Sequence, residues 1–324
     1  MKVFLAGATG AIGRPLVARL LDAGHEVVGT TRSAASAAAL RERGAQAVVL
    51  DAFDAQAVRA AVLAAEPEVL IHQLTALPAA IDPRHYAQAL EATSRLRAET
   101  PPAFLAAARE AGTRRAIFQS VSFLVGPEGP PVVDESAPPF ADPPRQMRGA
   151  AEATQAMERM ALAAGTPEGV VLRYGFFYGP GTAIAPDGTI VGEVRRRRFP
   201  VIGAGTGTWS FVHVDDAAAA TVLALDRGAP GICNVTDDDP APVREWLPAL
   251  AAAAGAPPPR HVPAWVGRLA AGPHTVHTAV AMRGNDNAKA RRELGFEPAW
   301  PTWRDGFPAL FGAAAAAPAL SGAR

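Results

Sequence analysis

Lys2-Val3-Phe4-Leu5-Ala6-Gly7-Ala8-Thr9-Gly10-Ala11-Ile12-Gly13-Arg14 stands at the head of the chain. It reads as a short apolar strand, a turn carrying Gly7, Gly10 and Gly13, and the start of a helix. Each glycine has its own task. Gly7 permits the tight turn, Gly10 lets the backbone approach a pyrophosphate, and Gly13 lets the helix pack against the strand with its amino end facing the phosphates. Three glycines alone decide little; a preceding strand and a following helix make the pattern specific.

The rhythm continues outward from this turn. Apolar, β-branched runs at Glu26 to Thr30, Ala47 to Asp51, Val69 to Leu74, Arg115 to Val121 and Val170 to Tyr174 read as further strands. Helical stretches separate them: Arg14 to Ala23 stopped by Gly24, Ser33 to Arg43 stopped by Gly44, and a third capped by Asp54 that runs to Ala65. Alternation of this kind predicts a doubly wound α/β fold of the Rossmann type around a parallel sheet, with a smaller C-terminal substrate-binding lobe. The expected division is a dinucleotide-binding domain over 1–173, with a segment returning near 208–236, and a lobe over 174–324. Beyond Tyr174 the sequence predicts a strand over Trp209 to Val214, a helix opened by Asp215 and Asp216, and a strand from Ile232 to Val235. Pro101-Pro102 should interrupt the helix between Tyr86 and Gly112, with Thr100 capping its restart. Gly126 to Pro144 and Ala256 to Pro263 read as ordered loops, and the alanine-rich tail after Gly312 as frayed.

Composition excludes several classes. Thirty-one basic residues balance 31 acidic ones over 324 residues, so no global field draws nucleic acid or an anionic membrane. No stretch reaches the roughly 18 apolar residues of a spanning helix, and the apolar run after Met1-Lys2 is too short for a signal peptide. Cys233 is the only cysteine, so neither an internal disulfide nor a thiolate metal cluster is expected. A cytoplasmic enzyme of small molecules, with no metal, is the resulting expectation. Lysine occurs only at Lys2 and Lys289, while arginine and alanine abound.

The end of the second strand bears on the cofactor. An NAD site expects Asp or Glu there, to accept from the ribose hydroxyls. This chain has Thr30-Thr31-Arg32-Ser33, and an arginine forms a bidentate pair with a 2′-phosphate. NADP(H) is therefore expected, with NAD(H) as the alternative. The expected contacts are Gly7, Thr9, Gly10, Ala11, Ile12, Gly13 and Arg14 from the turn, then Thr31, Arg32 and Ser33. Asp51 would lie beside the adenine and His72 and Gln73 beside the nicotinamide ribose, with Ala52 and Leu74 as further cofactor contacts.

These residues, with Val171-Leu172-Arg173-Tyr174, Tyr178-Gly179-Pro180-Gly181, Trp209 to Asp216 and Asn287 to Gly295, resemble the extended short-chain dehydrogenase/reductase superfamily (epimerase/dehydratase-like). The resemblance spans about residues 2–310. It implies the fold, a homodimer, and redox chemistry on a small carbonyl or alcohol; the alternatives are a nucleotide-sugar epimerase or dehydratase, and a non-redox enzyme or sensor that keeps the dinucleotide as a structural ligand. Members carry a Tyr-x-x-x-Lys pair in which lysine tunes the tyrosine for proton transfer. Here no tyrosine is followed four residues later by lysine. Aligned on Arg148 and Glu152, the tyrosine position falls on Pro144. The proton donor must come from elsewhere: Ser122 or Ser120 beyond the fifth strand, Tyr174 or Tyr178 beyond the sixth, or His72 at the end of the fourth. Phe176, Phe177, Arg148 and Arg196, the last within the run Arg195 to Arg198, are the expected substrate contacts. His213 and Cys233 are expected to be structural.

Overall fold

The computed structural model describes residues 1–78, 80–163 and 165–312. Its centre is a seven-stranded sheet of β1 (Lys2–Ala6), β2 (Glu26–Thr31), β3 (Gln46–Val49), β4 (Val69–His72), β5 (Arg115–Val121), β6 (Glu168–Tyr174) and β7 (Gly231–Val235). Every pairing is parallel, in the order β7-β6-β5-β4-β1-β2-β3. Both faces are covered, which is why these strands are apolar throughout rather than alternating. Val3, Leu5, Ile71 and Ile117 pack with Leu16, Val17 and Leu20 of α1 (Gly13–Asp22) and with Leu40 of α2 (Ala34–Glu42). Phe4, Ala6 and Leu70 face the other way, onto Val58 and Val62 of α3 (Ala55–Ala65). The chain direction across the sheet reverses between β1 and β4, and ligands of open α/β sheets bind in the crevice outside such a switch point.

The Pro-Pro sequence divides its helix as expected. α4 (Tyr86–Glu99) ends and α5 (Pro101–Glu110) restarts with Pro101 at its first position. Thr100 does not cap it: its backbone is helical, and its hydroxyl donates to the Leu96 carbonyl at 2.7 Å. β4 stops two residues short of the expected Leu74, because after Gln73 N–H reaches the Ala6 carbonyl the chain turns away. β3 runs earlier than expected.

α6 (Arg145–Ala163) packs along α4 on the face of β5. α7 (Thr189–Arg195) follows, then α8 (Val214–Leu223), which lies against α1. α9 (Val243–Ala253), α10 (Ala264–Ala271), α11 (Pro273–Val280) and α12 (Trp303–Leu310) complete the helices used below. The expected strand over Trp209 to Val214 is two pieces. Thr208–Trp209 pairs antiparallel with Ala241–Pro242, and Phe211–His213 runs parallel to Phe176–Tyr178. Ser210 parts them, its hydroxyl donating to the Asn285 carbonyl and accepting from the Asn285 N–H. His213, not Asp215, caps α8, its Nδ1 accepting from the Asp215 N–H. A second core gathers Tyr178, Phe211, Trp246, Trp303 and Phe307. Both proline-rich loops are tied down, Val132–Val133 to Gly284–Asn285 and His261–Val262 to Val201–Ile202. The tail from residue 313 lies outside the described residues. No helix among the described residues is long and apolar enough to cross a membrane.

Candidate active site

The glycine turn is shaped by what surrounds it. Gly7 adopts φ +95°, and a side chain there would press on the Gln73 carbonyl. A methyl on Gly13 would stand 2.1 Å from the Gly7 carbonyl oxygen. Gly10 is different, for a side chain there would meet only the Gly7 oxygen, at 3.4 Å, with open space beyond. Among the described residues the Ala11 and Ile12 amides donate to no protein carbonyl. An open backbone with free amides at a helix amino end fits a pyrophosphate.

Beside it, Thr31 is buried and Arg32 is exposed, with no ion pair among the described residues. Ser33 caps α2, accepting from the Ser36 N–H at 3.2 Å. Arg14 turns its Nε back to the Thr9 carbonyl and lines a hollow of about 300 Å³ with Arg43, Pro180 and Asp215. Asp51 accepts from the Phe53 N–H, and Ala52 and Leu74 pack against the α3 side of the core. Gln73 is buried; its Nε2 donates to the Tyr174 hydroxyl at 3.1 Å, while its Oε1 has no partner.

The expected proton donors scatter. Ser120 is buried and gives its proton to Glu158 at 2.6 Å; the same carboxylate takes Arg173 Nε and Nη2 at 2.7 and 2.6 Å. Tyr174 is saturated as well. Thr221 spends its proton on the Ala217 carbonyl, so the phenol donates to Thr221 while accepting from Gln73. Burial pushes that phenol up to about 12. Tyr178 sits in the second core against Phe307 and His213, its hydroxyl unpartnered and its pKa raised by burial and by the nearby Asp237. His72 lies between Phe104 and Phe118, and its Nε2–H goes to Thr100, whose own proton is committed to Leu96. Burial lowers this imidazole to about 4, so it is neutral at ordinary pH. Ser122 is buried at the end of β5, its N–H on the Tyr174 carbonyl, with no partner for its hydroxyl among the described residues.

Arg148 is exposed and pairs with Asp142, while its neighbour Met147 is buried. Arg196 is likewise exposed and pairs with Glu193 at a helix end, with Arg197 beyond it at φ +56°. Phe177 packs on Tyr174. Phe176 stacks between Phe123 and Trp209, with ring centroids 4.3 and 3.8 Å away.

That aromatic row leads to residues that sequence reasoning missed. α11 packs against this row: His274 lies 4.5 Å from the Tyr86 ring, His277 lies 4.7 Å from Phe140, and the Thr278 carbonyl takes Trp209 Nε1. Three side-chain atoms here are buried without a partner, Gln146 Oε1, His274 Nδ1 and His277 Nε2. Thr275 gives its proton to Ala271, so His274 donates from Nε2 and leaves Nδ1 as a bare acceptor. Burial lowers both imidazoles. Buried polar atoms without a partner also occur at Gln73, Tyr178, Asn234, Trp246 and Asn285, but here three stand near one another, and a ligand could supply their missing partners. A Gln on the first turn of α6 and histidines on a short C-terminal helix carry no sequence motif. Only the fold brings them together.

Comparison with known proteins agrees with this layout. Residues 3–236 match the model of the NAD dependent epimerase/dehydratase family. The chain is 45% identical over 309 residues, 94% of its length and 99% of the relative's, to a protein of a Streptomyces species named 3-diazoavenalumate denitrifying reductase. It is 30% identical over 263 residues, 77% of its length and 72% of the relative's, to a 4-hydroxy-2-methyl-3-oxo-4-farnesyl-3,4-dihydroquinoline-1-oxide ketoreductase of Stigmatella aurantiaca. A UDP-glucose 4-epimerase of Thermus thermophilus, solved with NAD, superposes with a TM-score of 0.74 at 24% identity, covering 97% of this chain and 98% of that one.

Proposed function

Because the chain belongs to the NAD-dependent epimerase/dehydratase family, an enzyme family of nicotinamide redox chemistry, we propose that it is an NADP(H)-dependent reductase of a small aromatic electrophile, with aromatic diazo compounds as its substrate class. The observation that carries this reading is the 45% identity, over nearly the full length of both chains, to a reductase named for denitrifying a diazo compound. Epimerisation of a nucleotide sugar begins by removing a hydroxyl proton and needs a base in the cleft. Tyr174, Ser120 and His72 are held in bonds within the protein and Tyr178 lies in the second core, which leaves the unpartnered imidazole nitrogens of His274 and His277 as the bases on offer there. When bound, the dinucleotide supplies a hydride, and with an arenediazonium that hydride replaces dinitrogen as the C–N bond breaks, with no proton required from the protein. The turn from Gly7 to Gly13 would hold the pyrophosphate and Arg32 the 2′-phosphate. Gln73 Oε1, buried and unpartnered, would take a hydroxyl of the nicotinamide ribose.

A second reading has its own support. A relative is named as a ketoreductase, and the Ser122 hydroxyl, free at the end of β5, would donate to a carbonyl oxygen. One panel separates the two readings: anaerobic NADPH oxidation with 3-diazo-4-hydroxycinnamate and with small aromatic ketones. Rapid oxidation with dinitrogen release from the diazo compound is the expected result. Oxidation by ketones alone establishes the second reading, and oxidation by neither refutes both.

A further inference from the structure

Arg97 is a buried cation that pairs with no carboxylate among the described residues. It is 7% exposed, and among the described residues it makes one hydrogen bond, from Nη1 to the neutral hydroxyl of Thr154 at 2.8 Å. Three other arginines among the described residues are as deeply buried, and each is better satisfied. Arg115 holds Glu168 and three carbonyls, Arg173 holds Glu158, and Arg283 holds the carbonyls of Gly126 and Pro130. Glu158, the acidic group whose charge Arg97 feels, is already taken by Arg173 and Ser120. A guanidinium carries five N–H donors and is costly to bury without charge compensation.

Its position says where the missing anion belongs. Tyr86, Thr93 and Arg97 recur at helical spacing along one side of α4. Thr93 holds the Ala76 N–H of the loop beyond β4, and the Arg97 charge reaches the Tyr86 phenol, whose ring rests on His274 of the cleft roof. Thr154, its one hydrogen-bond partner, is buried on α6, the helix whose first turn carries Gln146.

We propose that Arg97 anchors the carboxylate of a flat aromatic substrate whose ring enters the cleft between Tyr86, His274, Phe123 and Phe176. Nη1 is held by Thr154, so the free Nε–Nη2 edge takes both carboxylate oxygens side-on, the arrangement in which Arg–carboxylate pairs are strongest. The inference rests on the reductase reading for the aromatic ligand and adds its charge.

The test is calorimetric binding of 4-hydroxycinnamate and its methyl ester to the NADP⁺-loaded enzyme. Wild type should bind the acid about tenfold or more tightly than the ester. Arg97→Met should bring the two affinities together, and Arg97→Lys should restore part of the preference. Wild type with no preference for the acid overturns the inference. So does an Arg97→Met protein that keeps the preference while melting at lower temperature, since that is the behaviour of a purely structural arginine. Should Arg97→Met fail to fold, the comparison of Arg97→Lys with wild type decides: an unchanged acid-to-ester ratio overturns the inference and a reduced one supports it. The reductase reading fails separately, by absence of NADPH oxidation, and a protein that prefers the acid but oxidises no NADPH keeps the anchor and loses the reaction.

Discussion

Replacing Glu158 by alanine should destabilise the protein by about 3–5 kcal/mol. The side chains of Glu158 and Arg173 are only 7% and 8% exposed, and the carboxylate accepts two guanidinium N–H groups and the Ser120 hydroxyl. Removing it strands a buried guanidinium against the end of β6, and the desolvation once offset by the pair is uncompensated. Ser120→Ala removes one charge-assisted bond but leaves the ion pair intact, so about 1–2 kcal/mol is expected. Glu158→Leu combined with Arg173→Leu takes away both charges and should lie closer to wild type than Glu158→Ala alone. Urea denaturation followed by tryptophan fluorescence and far-ultraviolet circular dichroism reads all three. A Glu158→Ala loss below about 1 kcal/mol, or a double variant worse than the single, would refute the reasoning. The network also has a bearing on function, because it ties α6 to β5 and β6 just below Ser122, and the same variants should loosen substrate binding.

Arg32→Ala should weaken NADPH by about tenfold to thirtyfold and leave NADH nearly unchanged, through loss of an exposed charge-assisted pair worth about 1.5–2 kcal/mol; equal loss for both cofactors in a fluorescence titration would contradict the assignment. Gly13→Ala puts a methyl 2.1 Å from the Gly7 oxygen, and should abolish dinucleotide binding and cost at least about 2 kcal/mol in thermal or urea unfolding. His72 has a folded-state value of about 4 against 6.5 unfolded, so the unfolded state binds more protons between those values. Its contribution is intact above pH 6.5 and is lost as pH falls toward 4, by at most about 3 kcal/mol, and His72→Gln should flatten that part of the stability–pH curve.

Much of the fold was legible because its determinants are local. Val3 to Ala6 is apolar at every position, as a strand buried on both faces must be, and the glycine turn follows from contacts within a few residues and with Gln73. Pro101 likewise announced the break between α4 and α5. Boundaries were less visible where tertiary bonds set them, as at Gln73 and Ser210. The site was half legible. The shape of the glycine turn could be read, while Ser120, Tyr174 and His72 stood at plausible strand ends without any sign that their protons were committed to Glu158, Thr221 and Thr100. Those partners are 38, 47 and 28 residues away. That Arg148 is exposed and Met147 beside it buried was not visible either, because one residue along a helix turns a side chain by 100°. Gln146, His274 and His277 were missed for a related reason, since what marks them is a buried atom without a partner, and Arg97 because what marks it is burial with no carboxylate in contact.

The most direct test of the central claim is the fate of deuterium carried at the transferable position of NADPH when the enzyme turns over 3-diazo-4-hydroxycinnamate in ordinary water. Hydride transfer predicts 4-hydroxycinnamate with one deuterium on the ring carbon that bore nitrogen, formed in step with NADP⁺ and dinitrogen. A product without deuterium, or dinitrogen release with NADPH unconsumed, would contradict it.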